Sequence, residues 1–183
     1  FIVFLLCCFF SEGYYHFDEH FQIIEFAGSK LNITTTDDLP WEFHYQMRPT
    51  IQPTIAVVVY KLMQIIQVSD PFLVALILRI LSALLAFSTL WLFYKNFTNE
   101  ITDVKLKRWF ILFSFFLWFV IYNGVRFSSE NWSGALFSVA FSLFFLVKNK
   151  SFTFYFLVGV VLGLSFLFRY QAGLLIAGFI SWI

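Results

Sequence analysis

Charged side chains are scarce in this sequence of 183 residues: they make up 13% of it, against about a quarter in a soluble domain. Hydrophobic residues make up 60% and aromatic residues 23%, including 28 phenylalanines. This composition excludes an ordinary water-soluble domain and predicts an all-α polytopic membrane protein. The net charge of +1 is a sum over two membrane faces and says little about partners, so the sign of each loop is the informative quantity. For a membrane protein of this kind we expect no nucleic-acid partner.

Cysteine is represented only by Cys7 and Cys8, side by side in the apolar run of residues 1–10. In such a run they are small hydrophobic residues and indicate neither a disulfide nor a metal site. No small-residue cleavage site follows, so we predict that this run ends a first membrane span and is not a signal peptide. Because the sequence begins and ends within apolar runs, we expect it to be the N-terminal part of a longer protein.

Acidic residues are concentrated in one polar segment, residues 11–52. Seven of the eleven acidic residues lie between Glu12 and Glu42. A long polar loop between membrane segments is more often functional than not. The apolar spacing predicts a surface helix over residues 16–28 that ends at Gly28, and a second short element that opens at Pro40.

Apolar runs in region 69–183 predict transmembrane helices: 72–93, 109–122, 132–147, 152–168 and from 173 onward. The basic loops 95–108 and 148–150 lie two spans apart, and the positive-inside rule places both in the cytoplasm. The acidic segment then lies on the outer side of the membrane. Pro49 and Pro53 are predicted to break the element that opens at Pro40. Residues 53–68 are short for a span, so we predict an interfacial or re-entrant helix on the outer face that begins at Pro53.

This topology brings ionisable groups from distant parts of the chain to one level. Charged groups at membrane depth are costly and usually face a cavity or one another. We therefore expect four of them to gather at the outer membrane surface, near Asp18 and Glu19: Arg79, Arg126, Glu130 and Arg169.

Asp18 and Glu19 are the candidate catalytic residues. As neighbours on a helix they point about 100° apart, so we expect one to face the reaction and the other to pair with an arginine or contact solvent. Asp18 shares a face with Gln22 and Glu25, which favours it as the general base. The alternative is a solvated acidic face that keeps a surface helix in place.

Two further functions are compatible with this segment. His16, Glu19 and His20 match the H-x-x-E-H pattern of metallopeptidases, in which two histidines bind zinc and the glutamate is the general base. A third protein ligand would be needed, and the rest of the chain is mostly apolar. A transporter or scaffold, with the acidic loop as a vestibule, is the other alternative.

The sequence resembles the Alg9-like and glycosylphosphatidylinositol mannosyltransferases, members of the GT-C superfamily in glycosyltransferase family 22. The likeness runs in order through the chain, in HFDEHFQIIEFAG, LPWEFHYQMRPTIQP and RFSSE. Phe17 stands where the family usually has proline, and Met47-Arg48-Pro49 where Arg-Ser is common. The matching residues are His16, Asp18, Glu19, Gln22, Glu25, Trp41, Glu42, Arg48, Pro53, Arg79, Arg126, Glu130 and Arg169.

The resemblance implies a GT-C-type transmembrane domain, with residues 11–52 as its outer catalytic loop carrying short interfacial helices. It implies an inverting transfer of a sugar, with mannose as the expected sugar, from a polyprenyl- or dolichyl-phosphate donor to a glycan or glycolipid acceptor. Asp18 is then the base, and no metal or other cofactor is needed. The other matching polar residues would bind substrate, the arginines at the phosphate and Trp41 with Glu42 at the sugar. The protein would lie in the bacterial cytoplasmic or the endoplasmic reticulum membrane, among its lipids, with the loop on the periplasmic or lumenal side.

Overall fold

The computed structural model describes residues 1–14, 17–47, 49–68, 70–98 and 100–182, with Asp38 described by its backbone. Within these ranges the chain is helical and has no β-strand, so the all-α prediction is confirmed. In chain order the elements are α1 (Ile2–Phe10), a π-helix (Glu19–Ile24), α2 (Glu25–Lys30), a 3-10 turn (Thr36–Asp38), α3 (Trp41–His44), α4 (Ile51–Ile65), α5 (Pro71–Phe97), α6 (Val104–Phe116), α7 (Trp118–Gly124), α8 (Ser129–Leu146), α9 (Phe152–Phe168) and α10 (Ala172–Trp182).

The longest element, α5, has 27 residues and is therefore about 40 Å long. Asp70 caps it by accepting a hydrogen bond from the Phe72 N–H at 2.9 Å, and Pro71 occupies the first helical position. In the described ranges α5 is the one helix long and apolar enough to cross a membrane, while α4, α9 and α10 are apolar but shorter. The polytopic arrangement therefore stays a prediction.

Helices α5 and α8 run parallel, and α9 returns antiparallel to α8. Three hydrogen bonds join α5 to α8 in ascending order along both helices: Ser82 with Trp132 (2.8 Å), Thr89 with Ala135 (3.4 Å) and Asn96 with Ser142 (2.5 Å). At the other face of α8, Ser133 contacts Ser165 while Phe144 lies against Tyr155. The N-terminal end of α8 and the C-terminal end of α9 thus lie at one level, beside the first half of α5.

A hydrophobic cluster holds the acidic segment on the rest of the protein. Ile23 of the π-helix and Ala27 of α2 are buried against α4 and the first half of α5. The remaining buried members of this cluster are Ala56, Val59, Met63, Leu78 and Phe127. This packing holds Asp18 and Glu19, which precede Ile23, close to the residues just before α8.

The first helical stretch of the acidic segment does not end at Gly28 as predicted, but continues to Lys30. The turn is made by Asn32, whose φ is +57°, a conformation that asparagine tolerates well. Gly28 is required for a different reason, because a Cβ atom there would overlap the Thr34 side chain. The glycine therefore serves close packing and not helix termination.

Two other boundaries differ from the prediction. Helix α4 starts at Ile51, so Pro53 lies within its first turn, where the missing N–H of proline costs no hydrogen bond. The apolar run 109–122, predicted as one span, is divided at Leu117, whose backbone is extended (φ −62°, ψ 129°). This break allows α7 to pack against α1 and α5, whereas α6 stays largely exposed.

Candidate active site

A cavity of about 630 Å³ lies between α5, α7 and α8, a volume typical of small-molecule sites. Its apolar wall comes from residues such as Leu90, Phe119, Val120 and Ala135. The polar end of the cavity is formed by five residues that were predicted from the sequence: Asp18, Glu19, Arg126, Glu130 and Arg169. Groups up to about 150 positions apart in sequence are thus brought together at one cavity.

The two neighbouring acidic residues both line the cavity, and which of them faces the reaction stays a prediction. Glu19 is buried, with 9% of its surface exposed, and Asp18 is half-buried. Glu19 begins the π-helix, in which hydrogen bonds span five residues instead of four. The wider turn reduces the angle between successive side chains, and burial of Ile23 holds the π-helix in place.

Arg126 is 3% exposed and is held by neutral groups. Its Nη1 donates to the Gly13 carbonyl at 3.0 Å and its Nη2 to the Tyr122 hydroxyl at 2.5 Å. The guanidinium carbon lies 4.4 Å from the centre of the Tyr122 ring, a cation–π contact. Among the described residues, its buried Nε has no hydrogen-bond partner, which leaves one donor of the guanidinium group unsatisfied.

Arg169 follows α9 and forms an ion pair with Glu130, with 2.9 Å between Nη2 and Oε1. Its Nη1 is buried without a hydrogen-bond partner in the described part of the chain. Burying a cationic N–H without a partner is unfavourable. Like Arg126, Arg169 therefore presents an N–H group that an anionic ligand would satisfy.

Arg79 is not one of the residues that line the cavity. It donates from Nη1 to the Ser11 carbonyl and from Nη2 to the Gly13 carbonyl, the second at 3.0 Å. Gly13 has a φ of +62°, which favours glycine. Arg79 and Arg126 thus hold the same backbone oxygen, shortly before the chain reaches Asp18.

Four other predicted residues of the acidic segment are not among the described residues that line this cavity: Gln22, Glu25, Trp41 and Glu42. Gln22 donates from Nε2 to Glu42 Oε2, and Glu25 Oε1 lies 3.1 Å from His20 Nε2. Trp41 is 61% exposed. The sugar-binding role of Trp41 and Glu42, and the substrate-binding role of Gln22 and Glu25, stay predictions.

The two remaining predicted residues, His16 and Arg48, lie outside the described residues. Within the described ranges, no three His, Cys, Asp or Glu side chains come close enough together to hold a metal ion. His20, the second histidine of the H-x-x-E-H pattern, stacks on Tyr14 with 5.5 Å between ring centres and lies beside Glu25.

Sequence reasoning missed the small and neutral polar residues that line the cavity on α8. Asn131, Gly134 and Ser138 are spaced three and four residues apart on one helix face. A stripe of small and polar residues in an otherwise apolar helix indicates a close helix contact or a cavity, and this signal was present in the sequence. Asn131 also donates to the Arg126 carbonyl at 2.9 Å, which fixes the loop before α8.

Carboxylates that can accept a proton, next to guanidinium groups that can stabilise an anion, are suited to group transfer with an anionic leaving group. The class that this cavity and the helical fold define is thus a helical group-transfer enzyme.

Comparison with known protein families agrees with this class. The chain belongs to the Alg9-like mannosyltransferase family, whose model matches residues 1–182, and the resemblance noted in the sequence is confirmed. Family membership makes it a membrane-associated glycosyltransferase of the mannose-transferring kind. No curated protein and no solved structure matches the chain.

Proposed function

We propose that the protein transfers mannose from a polyprenyl- or dolichyl-phosphate to a hydroxyl group of a glycolipid or glycan acceptor, on the non-cytoplasmic face of the membrane. One observation carries this proposal. Three acidic and two cationic side chains share one end of a cavity whose remaining wall is mostly apolar. A lipid-phosphate sugar likewise has a polar end and an apolar part: an anionic, hydroxyl-rich head and a hydrocarbon chain.

At the polar end, the acceptor oxygen forms a bond to the anomeric carbon of mannose while its proton passes to Asp18. The bond between that carbon and the phosphate oxygen breaks, and the lipid phosphate leaves with the electron pair. Attack opposite the phosphate inverts the anomeric configuration. The buried N–H groups of Arg126 and Arg169 that have no partner among the described residues suit the oxygens of the departing phosphate.

Along the apolar wall there is room for the lipid chain. The cavity follows α8 from Ser128 to Ser138, a rise of about 15 Å. Leu90 of α5 and Phe119 of α7 face it from the other sides. Burial of an isoprenoid chain here would contribute about 25 cal/mol per Å² of apolar surface. The donor carries a single phosphate and no diphosphate to chelate a metal ion, so the reaction as proposed uses no cofactor.

The helix directions support a GT-C-type arrangement with the cavity mouth on the outer side. Because α5 and α8 are parallel, their C-terminal ends lie at the same level, and the basic residues Lys95 and Lys148 lie there. The positive-inside rule assigns that level to the cytoplasm. Arg126, Glu130 and Arg169 lie at the opposite end of the helices, which corresponds to the periplasmic or lumenal surface.

The test is a transfer assay on the full-length protein in liposomes, with radiolabelled polyprenyl-phosphate mannose and a glycolipid acceptor. Gly134 lines the cavity and has open space where a Cβ would lie, so Gly134→Leu would fill the proposed path of the lipid chain. We expect it to lower kcat/KM by about 10-fold or more, the value of one to three buried methylene groups.

Gly159→Leu is the matched control, because Gly159 also has open space around it but lies on α9 away from the cavity. It should keep wild-type transfer. Wild-type protein that uses a nucleotide-diphosphate mannose and not the lipid phosphate would overturn the proposal. Equal turnover by Gly134→Leu and Gly159→Leu would overturn the assigned lipid path.

A further inference from the structure

Two serine residues join α8 and α9 by a reciprocal pair of hydrogen bonds. The Ser133 hydroxyl donates to the Ser165 carbonyl at 2.8 Å, and the Ser165 hydroxyl donates to the Ser133 carbonyl at 2.8 Å. The two hydroxyl oxygens are 3.3 Å apart. Ser133 is 3% exposed and Ser165 is fully buried. We call this pair the serine clamp.

The buried hydroxyl groups of α5 that contact α8, Ser82 and Thr89, also donate within their own helix. Ser82 donates to the carbonyl of Leu78, and Thr89 donates to that of Leu85, each four residues earlier in its own helix. This local bond is the usual solution for serine and threonine within an apolar helix. Ser133 and Ser165 instead bond across the helix contact, so the same atoms that satisfy the hydroxyl groups also set the register of α8 against α9.

The serine clamp lies one helical turn from the Glu130–Arg169 ion pair. Glu130 precedes Ser133 by three residues on α8, and Arg169 follows Ser165 by four. The Ser165 carbonyl accepts both the Ser133 hydroxyl and the Arg169 N–H, the latter at 3.2 Å. A shift of α9 along α8 would therefore break both serine bonds and move Arg169 relative to Glu130 and to the cavity.

We propose that Ser133 and Ser165 are positioning residues: they hold the Glu130–Arg169 ion pair at the polar end of the cavity without contacting substrate. The effect on transfer rests on the proposed function, whereas the mechanical coupling between clamp and ion pair does not. Because packed helices have discrete registers, loss of the clamp would let Arg169 take up positions in which it no longer pairs with Glu130.

A double-mutant cycle on the full-length protein tests this coupling. The variants are Ser133→Ala with Ser165→Ala, Glu130→Gln, and the three changes combined. If the serines act through the ion pair, each of the first two variants lowers kcat/KM by about 10-fold and the combination lowers it by about the same factor, because interacting residues are non-additive. A merely structural role predicts independent losses that multiply to about 100-fold.

The same cycle, followed by thermal unfolding in detergent, gives a readout that needs no activity. Glu130→Gln should lower Tm by about 2 °C in the wild-type background, the effect of roughly 0.5–1 kcal/mol in a domain of this size, and by less when both serines are alanine. Equal shifts of Tm in the two backgrounds would overturn the proposal even if the donor assignment were wrong. If Glu130→Gln lowers Tm less in the double-alanine background than in wild type, but no lipid-phosphate mannose supports transfer, only the proposed function is overturned.

Ser142→Ala is the matched control. Ser142 is a fully buried serine of the same helix, and its hydroxyl has no hydrogen-bond partner among the described residues. It should leave both kcat/KM and the Glu130→Gln effect unchanged. If the double alanine variant does not fold, Ser133→Ala alone serves in the cycle, because it removes one of the two reciprocal bonds and leaves the Ser165 hydroxyl in place.

Discussion

Replacing Asp18 by asparagine removes the carboxylate that we assign as general base and keeps the size of the side chain. Asn cannot accept the proton of the acceptor hydroxyl at the operating pH. General-base catalysis contributes about 10²–10⁴-fold to a rate, which corresponds to about 2.7–5.4 kcal/mol. We therefore expect kcat to fall by about 10²–10⁴-fold in Asp18→Asn.

The surroundings of Asp18 predict a second effect, on donor binding. Asp18 lines the same cavity end as Arg126 and Arg169, so the loss of its negative charge leaves that end more positive. A phosphate-bearing donor would then bind as tightly as before or more tightly. The expected pattern is a lower kcat without a higher KM for the donor, which separates loss of a base from general misfolding.

The assay is steady-state transfer of radiolabelled mannose by the full-length protein, with Asp37→Asn as the control. Asp37 is exposed and lies in the same acidic segment, and its variant should match wild type. Wild-type turnover in Asp18→Asn would refute the assignment. A higher donor KM with unchanged kcat would show that Asp18 binds substrate instead. A larger loss of kcat in Glu19→Gln than in Asp18→Asn would exchange the roles of the two carboxylates.

Three further outcomes are expected. Arg169→Gln removes the Nη1 group that we assign to the phosphate, so donor KM in steady-state kinetics should rise about 10-fold or more; an unchanged KM would contradict the assignment. Gly28→Ala should destabilise the fold by about 1–3 kcal/mol through overlap with a threonine side chain, whereas thermal unfolding of Gly159→Ala should show equal or higher stability. In a cysteine-free background, Asp37→Cys should react with a membrane-impermeant thiol reagent from the non-cytoplasmic side, and labelling that requires access to the cytoplasm would reverse the topology.

Much of the cavity's polar end was predictable from sequence because ionisable groups are rare in apolar runs. Arg126, Glu130 and Arg169 each stand next to a long hydrophobic run, and a charge in that position needs a partner at the same depth. The lengths of the runs place the three at one level. The bounds predicted for the helix 152–168 coincide with α9, since the serine and arginine that flank it are clear polar limits.

Other features depend on contacts that leave no local mark in the sequence. The π-helix that brings Glu19 beside Asp18 is fixed by packing of Ile23 against α4, and no residue type encodes such a turn. The break at Leu117 contains neither proline nor glycine. Arg79 was predicted to bind substrate from its depth in the predicted span and from the family resemblance, and its backbone carbonyl partners, 66 and 68 positions earlier, could not be predicted.

The recognition of Ser11 and Gly13 by Arg79 and Arg126 involves main-chain oxygens only. Every residue type offers such an oxygen, so the bond from Arg79 to position 11 does not depend on the serine side chain. We expect related proteins to accept other small residues in this buried position while they retain both arginines, and the dependence between them would be invisible to methods that search for correlated substitutions.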